Sequence, residues 1–166
     1  MKKIRILSID GGGIRGILPG VILTQIEKKL QKKTGDSDIR LADMFDFMAG
    51  TSTGGILALA YLTPNAKKRP KLTAQEAVNV YSESGDEIFD ANIWQKIKSG
   101  NGITDEKYNA SELEEVLENT FGSMELSNLL KPCIISSYDI SNGKPHFFKQ
   151  HKASNAAYNF KIKDVA

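Results

Sequence analysis

A serine lies at the centre of the glycine-rich turn Gly50-Thr51-Ser52-Thr53-Gly54-Gly55. Short apolar runs precede and follow this turn, at residues 45–49 and 56–62. The pattern G-x-S-x-G, entered from a strand and left into a helix, is that of a nucleophile elbow. Glycines are needed because side chains beside the serine would collide with the neighbouring strand or helix. Such a turn exposes the serine Oγ at a helix N-terminus, where N–H groups favour developing negative charge.

A second glycine-rich turn, Asp10-Gly11-Gly12-Gly13-Ile14-Arg15-Gly16, follows a predicted strand near the N-terminus. Consecutive glycines let the backbone approach a ligand closely and direct amide groups into a small concave site. Beside a nucleophilic serine this turn is an oxyanion hole, whose donors are worth roughly 3–4 kcal/mol each in comparable enzymes. Arg15 has three interpretations: it holds the loop through a carboxylate or carbonyl, it attracts an anionic head group, or it is a structural surface residue.

The same turn also satisfies the dinucleotide-binding pattern G-x-G-x-x-G, with Gly11, Gly13 and Gly16 in the glycine positions. That function requires an acidic residue at the end of the next strand, where it binds a ribose. The next predicted strand ends in the serine turn instead, and Glu27 lies within the predicted helix between the strands. A nucleotide-binding α/β module that uses Gly11–Gly16 is the alternative hypothesis.

Together, the two turns resemble the paired motif of the patatin-like phospholipases, in that family's order and at the expected strand-to-helix junctions. The resemblance is strong over residues 3–62 and includes the approach segment Ala42-Asp-Met-Phe-Asp46. It implies that the nucleophile is Ser52. The oxyanion-hole residues that it implies are Gly11, Gly12, Gly13 and Thr53. The supporting positions are Asp10, Arg15, Gly16, Gly50 and Gly54.

The resemblance also implies an activity, that of a lipid acyl hydrolase of the phospholipase A type. Its substrates would be phospholipid or lysophospholipid esters, cleaved through an acyl-serine intermediate. Family members use a serine–aspartate dyad, with the aspartate in a D-G-G or D-G-A motif well downstream of the serine. In this chain that motif is missing from all aspartates after Ser52, which are Asp86, Asp90, Asp105, Asp139 and Asp164.

Residues 1–166 are therefore expected to be the N-terminal portion of a single patatin-like catalytic domain, truncated at the C-terminus. The aspartate of the dyad is then expected beyond residue 166. A non-catalytic fragment that lacks the base is a further alternative hypothesis.

Other candidates for a base have simpler structural roles. Asp139 follows a predicted strand and is expected to begin the turn that ends at Gly143. A serine triad would need His146 or His151 within hydrogen-bond distance of Ser52, and both are typical of surface or strand positions. No histidine, cysteine or carboxylate cluster has the spacing of metal ligands, so neither a metal nor another cofactor is predicted.

Composition is that of an ordinary globular domain. The 166 residues are 40% hydrophobic and 25% charged, and the net charge of +2 is too small to predict nucleic-acid binding. Lysines cluster in residues 28–33 and 67–71, which indicates mainly solvated surface and, as the lesser interpretation, transient contact with an anionic membrane. A single cysteine, Cys133, and the lack of a signal peptide or transmembrane run predict a cytoplasmic protein. Export without a cleaved signal and the oligomeric state are left open.

Predicted strands and helices alternate along the chain. The strands are apolar runs at residues 3–9, 45–49, 132–138 and 144–149. The helices cover residues 17–33, 55–62, 73–89 and 111–121, and capping boxes open the third and fourth at Thr73/Glu76 and Ser111/Glu114. Continuous apolar strands predict a three-layer α/β/α fold with a mainly parallel sheet, and the first strand is expected to be buried. Both glycine turns then lie at the carboxyl edge of the sheet, where α/β proteins bind ligands.

The first predicted helix carries its apolar residues at positions compatible with one face. Pro19 is acceptable there because it falls in the first turn. The side chains expected to face the core are Val21, Ile22, Ile26 and Leu30. Gly35 follows the helix, where a glycine C-cap is expected.

Overall fold

The computed structural model describes residues 3–83 and 106–166 and contains a four-stranded sheet. Its strands, in spatial order, are β1 (Ile6–Ile9), β2 (Phe47–Thr51), β3 (Cys133–Asp139) and β4 (Lys144–Lys149). β1, β2 and β3 are parallel, and β4 is antiparallel to β3. This is an α/β fold with a mostly parallel sheet, consistent with the predicted three-layer α/β/α architecture.

The helices connect and cover these strands. They are α1 (Ile17–Thr34), α2 (Leu41–Met44), α3 (Thr53–Leu62), α4 (Ala74–Glu83), α5 (Glu106–Phe121) and α6 (Ile162–Val165). In the part of the chain that the structure describes, no helix is long and apolar enough to cross a membrane.

Two of the predicted helix boundaries are confirmed by their caps. Gly35 ends α1 in the left-handed conformation, with φ 70°. At the start of α4 the Thr73 N–H donates to Glu76 Oε2 at 2.7 Å, and the Glu76 N–H donates to Thr73 Oγ1 at 3.1 Å. The predicted start at Ser111 was wrong, because α5 already begins at Glu106. The Ser111 side chain proposed as the cap, and the predicted end of the third helix at residue 89, lie outside what the structure describes.

One face of the sheet packs against α3. Ile9, Gly50 and Ile135 lie side by side on adjacent strands, and all three are buried on this face. α3 is buried on nearly all sides, as its uniformly apolar sequence predicts. The core therefore lies between α3 and the centre of the sheet, directly behind the turn that carries Ser52.

The prediction of a buried first strand beginning at residue 3 was wrong. β1 begins at Ile6, and the side chains of Ile4 and Ile6 are 71% and 63% exposed. β1 lies at the edge of the described sheet, and its side chains alternate between the two faces. Ile9 therefore points toward α3 and is buried, whereas Ile6 points to the opposite face.

The predicted buried stripe of α1 was also wrong. Val21, Ile22 and Ile26 are exposed, and the residues that α1 buries are Gly20, Leu23, Thr24 and Glu27. Gly20 determines this face, since a Cβ at its position would lie 2.6 Å from Val78 Cγ2 on α4. A close contact made through a glycine has no hydropathy signal, so the apolar pattern indicated the wrong face.

Glu27 is a buried carboxylate that joins α1 to the first turns of two other helices. Its side chain Oε2 accepts the Leu41 N–H at 3.0 Å, and Oε1 accepts the Ala74 N–H at 2.9 Å. Both N–H groups lie at helix N-termini, where they have no partner within their own helix and where a negative charge is stabilised. Glu27 therefore fixes α2 and α4 relative to α1.

We expect Glu27→Gln to lower the free energy of unfolding by about 2–3 kcal/mol. The glutamine NH2 group would face one of the two backbone N–H groups, and that buried donor would lose its acceptor. Thermal unfolding followed by circular dichroism measures this change. The control is Glu115→Gln, at an exposed glutamate of α5, which should change the free energy of unfolding by less than about 0.5 kcal/mol. Equal effects of the two variants would contradict a structural role for Glu27.

Cys133 is buried in β3, and burial raises the pKa of its thiol to about 12. Only the thiolate reacts, so at about pH 8 we expect the folded protein to react with a colorimetric disulfide reagent roughly 1000-fold more slowly than the unfolded protein. The reaction is followed by absorbance in buffer and in concentrated urea. Similar rates in the two solutions would show that the thiol is accessible.

Candidate active site

Ser52 occupies the turn between β2 and α3 in a strained backbone conformation, with φ 49° and ψ −130°. Positive φ is unfavourable for a residue with a side chain, and strain of this kind is concentrated at functional sites. The Ser52 side chain is exposed, and its carbonyl accepts the N–H groups of Gly55 at 2.7 Å and Ile56 at 3.2 Å. Ser52 therefore stands at the N-terminus of α3 in the geometry that a nucleophile elbow requires.

Gly50 and Gly54 are glycines because backbone atoms occupy the space that a side chain would need. A Cβ on Gly50 would lie 2.5 Å from the Gly54 carbonyl oxygen. A Cβ on Gly54 would lie 2.2 Å from the carbonyl oxygen of Ile9 and 2.9 Å from that of Asp10. The serine turn is thus packed, backbone against backbone, on the end of β1.

The glycine turn that follows β1 lies directly against the serine turn. A Cβ on Gly11 would lie 2.4 Å from the Thr51 carbonyl oxygen and 2.6 Å from Ser52 Cβ. The Gly11 N–H donates to Thr51 Oγ1 at 2.8 Å. A Cβ on Gly16 would lie 2.8 Å from Thr53 Oγ1, which is buried. The fold therefore brings the two sequence motifs into contact.

Gly12 and Gly13 form the bend of this second turn, with φ 156° and 59°. The Gly12 carbonyl accepts the Arg15 N–H at 3.2 Å and the Arg15 Nε–H at 3.4 Å. Of the three interpretations of Arg15, its geometry therefore favours the one in which it holds the loop through a carbonyl. The Gly11 amide is engaged within the protein, because it donates to Thr51 Oγ1.

The two histidines lie away from Ser52. β3 separates β4 from β2, so His146 on β4 is two strands, or about 10 Å, from the strand that leads to the serine. The His146 ring packs edge-on against Phe148, with the ring centroids 4.7 Å apart. His151 is exposed in the 3-10 helix Gln150–Lys152. The described structure does not bring either histidine to the serine.

Asp139 ends β3 and begins the turn that its sequence predicts. Its Oδ1 accepts the Asn142 N–H at 3.1 Å, and its Oδ2 accepts the Asn142 side-chain amide at 2.7 Å. These hydrogen bonds, the side-chain one first, hold the pKa of the Asp139 carboxyl below its usual value. A lowered pKa makes Asp139 a weaker general base, which agrees with a structural role in the turn.

The nucleotide-binding hypothesis loses its acidic partner in this geometry. The position at the end of β2 is Thr51, whose hydroxyl accepts the Gly11 N–H. Glu27, the acid within the intervening helix, is buried, and its two oxygens bind Leu41 and Ala74. Neither position presents a free carboxylate to a ribose beside the Gly11–Gly16 turn.

Comparison with known proteins agrees with the two motifs and their geometry. The family model for patatin-like phospholipases matches residues 7–165. Patatin-16 and Patatin-01 of Solanum tuberosum are each 40% identical to this chain over 165 residues, which cover 99% of the chain and 41% of each relative. Patatin-1-Kuras 2 of the same species is also 40% identical, and 42% of it is covered. The chain thus spans about two-fifths of the length of these curated relatives.

The family match and the contact between the two turns identify the protein family. The matched region contains both glycine-rich turns, the strands β2, β3 and β4, and all of β1 except Ile6. Because the model matches nearly the whole chain, the chain belongs to the patatin-like phospholipase family.

Proposed function

We propose that the protein is a serine acyl hydrolase that cleaves carboxylic ester bonds of phospholipids or lysophospholipids, with Ser52 as its nucleophile. The observation that carries the proposal is the contact between the two turns, in which Gly11 lies against both Thr51 and Ser52. The residue that would create an oxyanion and the backbone that would stabilise it are thereby neighbours. Membership of a family described as patatin-like phospholipases supports a lipid substrate.

In the proposed reaction, Ser52 Oγ attacks the acyl carbonyl carbon while its proton passes to a carboxylate base. The carbonyl oxygen becomes an oxyanion, stabilised by the N–H groups of Gly12, Gly13 and Thr53. When the tetrahedral intermediate collapses, the ester C–O bond breaks and the leaving alcohol takes the proton from the base. Water then attacks the acyl-serine by the same route, and the fatty acid leaves as Ser52 regains its proton.

The proposed base is an aspartate outside residues 1–166. The D-G-G or D-G-A motif is missing from this sequence after Ser52. Of the later aspartates that the structure describes, Asp139 binds Asn142 in its turn and Asp164 lies in the first turn of α6. The dyad mechanism, phospholipase A specificity and transient contact with a membrane belong to this proposal. A non-catalytic fragment without a base is the alternative.

We expect a fluorophosphonate probe, which modifies activated serines, to label the full-length protein at Ser52. The labelling rate should fall at least about 100-fold in Ser52→Ala, because the attacking oxygen is lost. The control is Ser137→Ala, at an exposed serine of the neighbouring strand β3, which should label like the parent. Equal labelling of the parent and Ser52→Ala would overturn the assignment of the nucleophile.

Ester hydrolysis by the 166-residue chain separates the two hypotheses about the base. If the base lies outside these residues, turnover of an activated ester should match that of Ser52→Ala. Turnover clearly above that variant would place a base within the chain and reject the dyad as proposed.

We expect Gly11→Ala to lower the labelling rate of Ser52 at least about 100-fold, because the added methyl group forces the two turns apart. Probe labelling and the unfolding temperature are measured on the same sample. The control is Gly35→Ala, which also changes a glycine to alanine but at a position with φ 70° and no atom within 4 Å. This control should cost about 1–2 kcal/mol of stability and leave labelling unchanged. An unchanged labelling rate in folded Gly11→Ala would contradict the role of the contact.

A further inference from the structure

The hairpin of β3 and β4 extends beyond the edge of the sheet that carries Ser52. Thr51, the last residue of β2, pairs with Ser136, and β3 continues from there to Asp139. At about 3.3 Å per residue, the hairpin tip stands roughly 10 Å beyond the end of β2. Because β2 and β3 are parallel, the tip and Ser52 lie at the same edge, which we call the catalytic edge.

Ile140 stands at the tip of this hairpin and is 89% exposed, more than any other large apolar side chain in the described residues. The turn that carries it is internally bonded, since Asp139 accepts two hydrogen bonds from Asn142 and Gly143 adopts φ 61°. The backbone entropy of ordering this turn is therefore lost before any partner binds. Transfer of the isoleucine side chain from water to an apolar environment therefore makes binding more favourable, with little of this free energy spent on ordering the turn.

Two further exposed apolar side chains lie on the other side of Ser52. Ile14, in the glycine turn after β1, is 43% exposed, and Leu18, in the first turn of α1, is 65% exposed. The strand order β1-β2-β3 places Ser52 between these two residues and Ile140. Exposed apolar side chains thus lie at the catalytic edge on both sides of the proposed nucleophile. A single exposed apolar residue is common on protein surfaces and would need no explanation, whereas a group around one site indicates an interaction surface.

The lysines of the hairpin differ in their place relative to the catalytic edge. Lys144 begins β4 at the tip, opposite Asp139 in the register of the two strands. Lys149 pairs with Ile134 at the start of β3, so Lys149 and Lys152, whose ammonium groups lie 5.9 Å and 5.5 Å from the ring centroids of Phe147 and Tyr158, are at the opposite edge. The lysine that the hairpin tip itself presents to a lipid phosphate is therefore Lys144.

The two lysine clusters that are evident in the sequence lie at the opposite edge of the sheet. α1 and α3 both begin at the catalytic edge and run away from it, so residues 28–33 and 67–71 are near their far ends. In the second cluster, Arg69 is engaged by both oxygens of Asp43 at 2.6 Å. Attraction through these clusters would turn Ser52 away from a membrane.

We propose that the β3–β4 hairpin docks the protein on a phospholipid surface, with Ile140 inserted between head groups and acyl chains. Ile14 and Leu18 face the same surface, and Lys144, at the base of the tip, contacts lipid phosphate. This docking rests on the proposed lipid hydrolase function and deepens it, because it names the surface that delivers the ester to Ser52.

Vesicle binding tests the docking without requiring catalysis. The full-length protein carries Ser52→Ala, so that no lipid is hydrolysed, and it is floated with vesicles of phosphatidylcholine with or without phosphatidylglycerol. We expect binding to both kinds of vesicle, because the insertion of Ile140 drives it, and a loss of at least about tenfold in partitioning with Ile140→Asp. The matched control is Ile4→Asp, at an isoleucine that is 71% exposed but lies at the opposite edge of the sheet, and it should bind like the parent.

A site-specific fluorophore gives the second measurement. Cys133, the single cysteine of residues 1–166, is buried, so Ile140→Cys offers one accessible thiol once any cysteines outside these residues are replaced by serine. An environment-sensitive dye attached there should shift to the blue when vesicles are added. The dye at Ile4→Cys should not shift. The docking proposal is overturned if position 140 shows no shift, if both positions shift equally, or if neither vesicle binds the protein. Failure of Ser52 to label with the serine probe would reject the proposed chemistry and leave these binding results intact.

Discussion

The catalytic edge depends on one constraint, which is that two turns pack backbone against backbone with no side chain between them. Gly54 of the serine turn meets the end of β1, and Gly11 of the other turn meets the end of β2. Ile9 pairs with Gly50 in the register of β1 and β2, so the strand pairing sets the distance between the turns. Stability of the sheet and geometry of the site therefore depend on the same atoms, and a methyl group at either glycine would disturb both.

The parts of the structure that could be predicted from the sequence are those whose cause is local. A glycine beside a strained serine, a glycine after the last turn of a helix and a threonine three residues before a glutamate each indicate one backbone geometry. The serine turn, the C-cap at Gly35 and the capping box at Thr73 follow from such signals, and the structure has them in place. The contact between the two turns needed the fold, since it joins residues 40 positions apart.

The features that were predicted wrongly depend on distant partners. The buried face of α1 is set by Gly20 against Val78, a contact between two helices that the hydropathy of either one does not indicate. The exposure of Ile6 follows from the face of β1 on which it lies, opposite to α3, and an apolar run in a sequence does not indicate that one face of its strand is left exposed. Glu27 has no motif at all, because its two hydrogen-bond donors come from helices that follow it in the chain.

The order of the strands also has a kinetic meaning. β1 and β2 are joined through α1 and a short approach, whereas β2 pairs with β3 across about half of the chain, as the register of Met48 with Cys133 shows. Closing a loop costs more entropy as the loop grows, and contacts between distant residues slow folding. Ser52 and the Gly11–Gly16 turn both belong to the shorter closure. The elements of the proposed chemistry thus meet through the part of the topology that costs the least chain entropy to form.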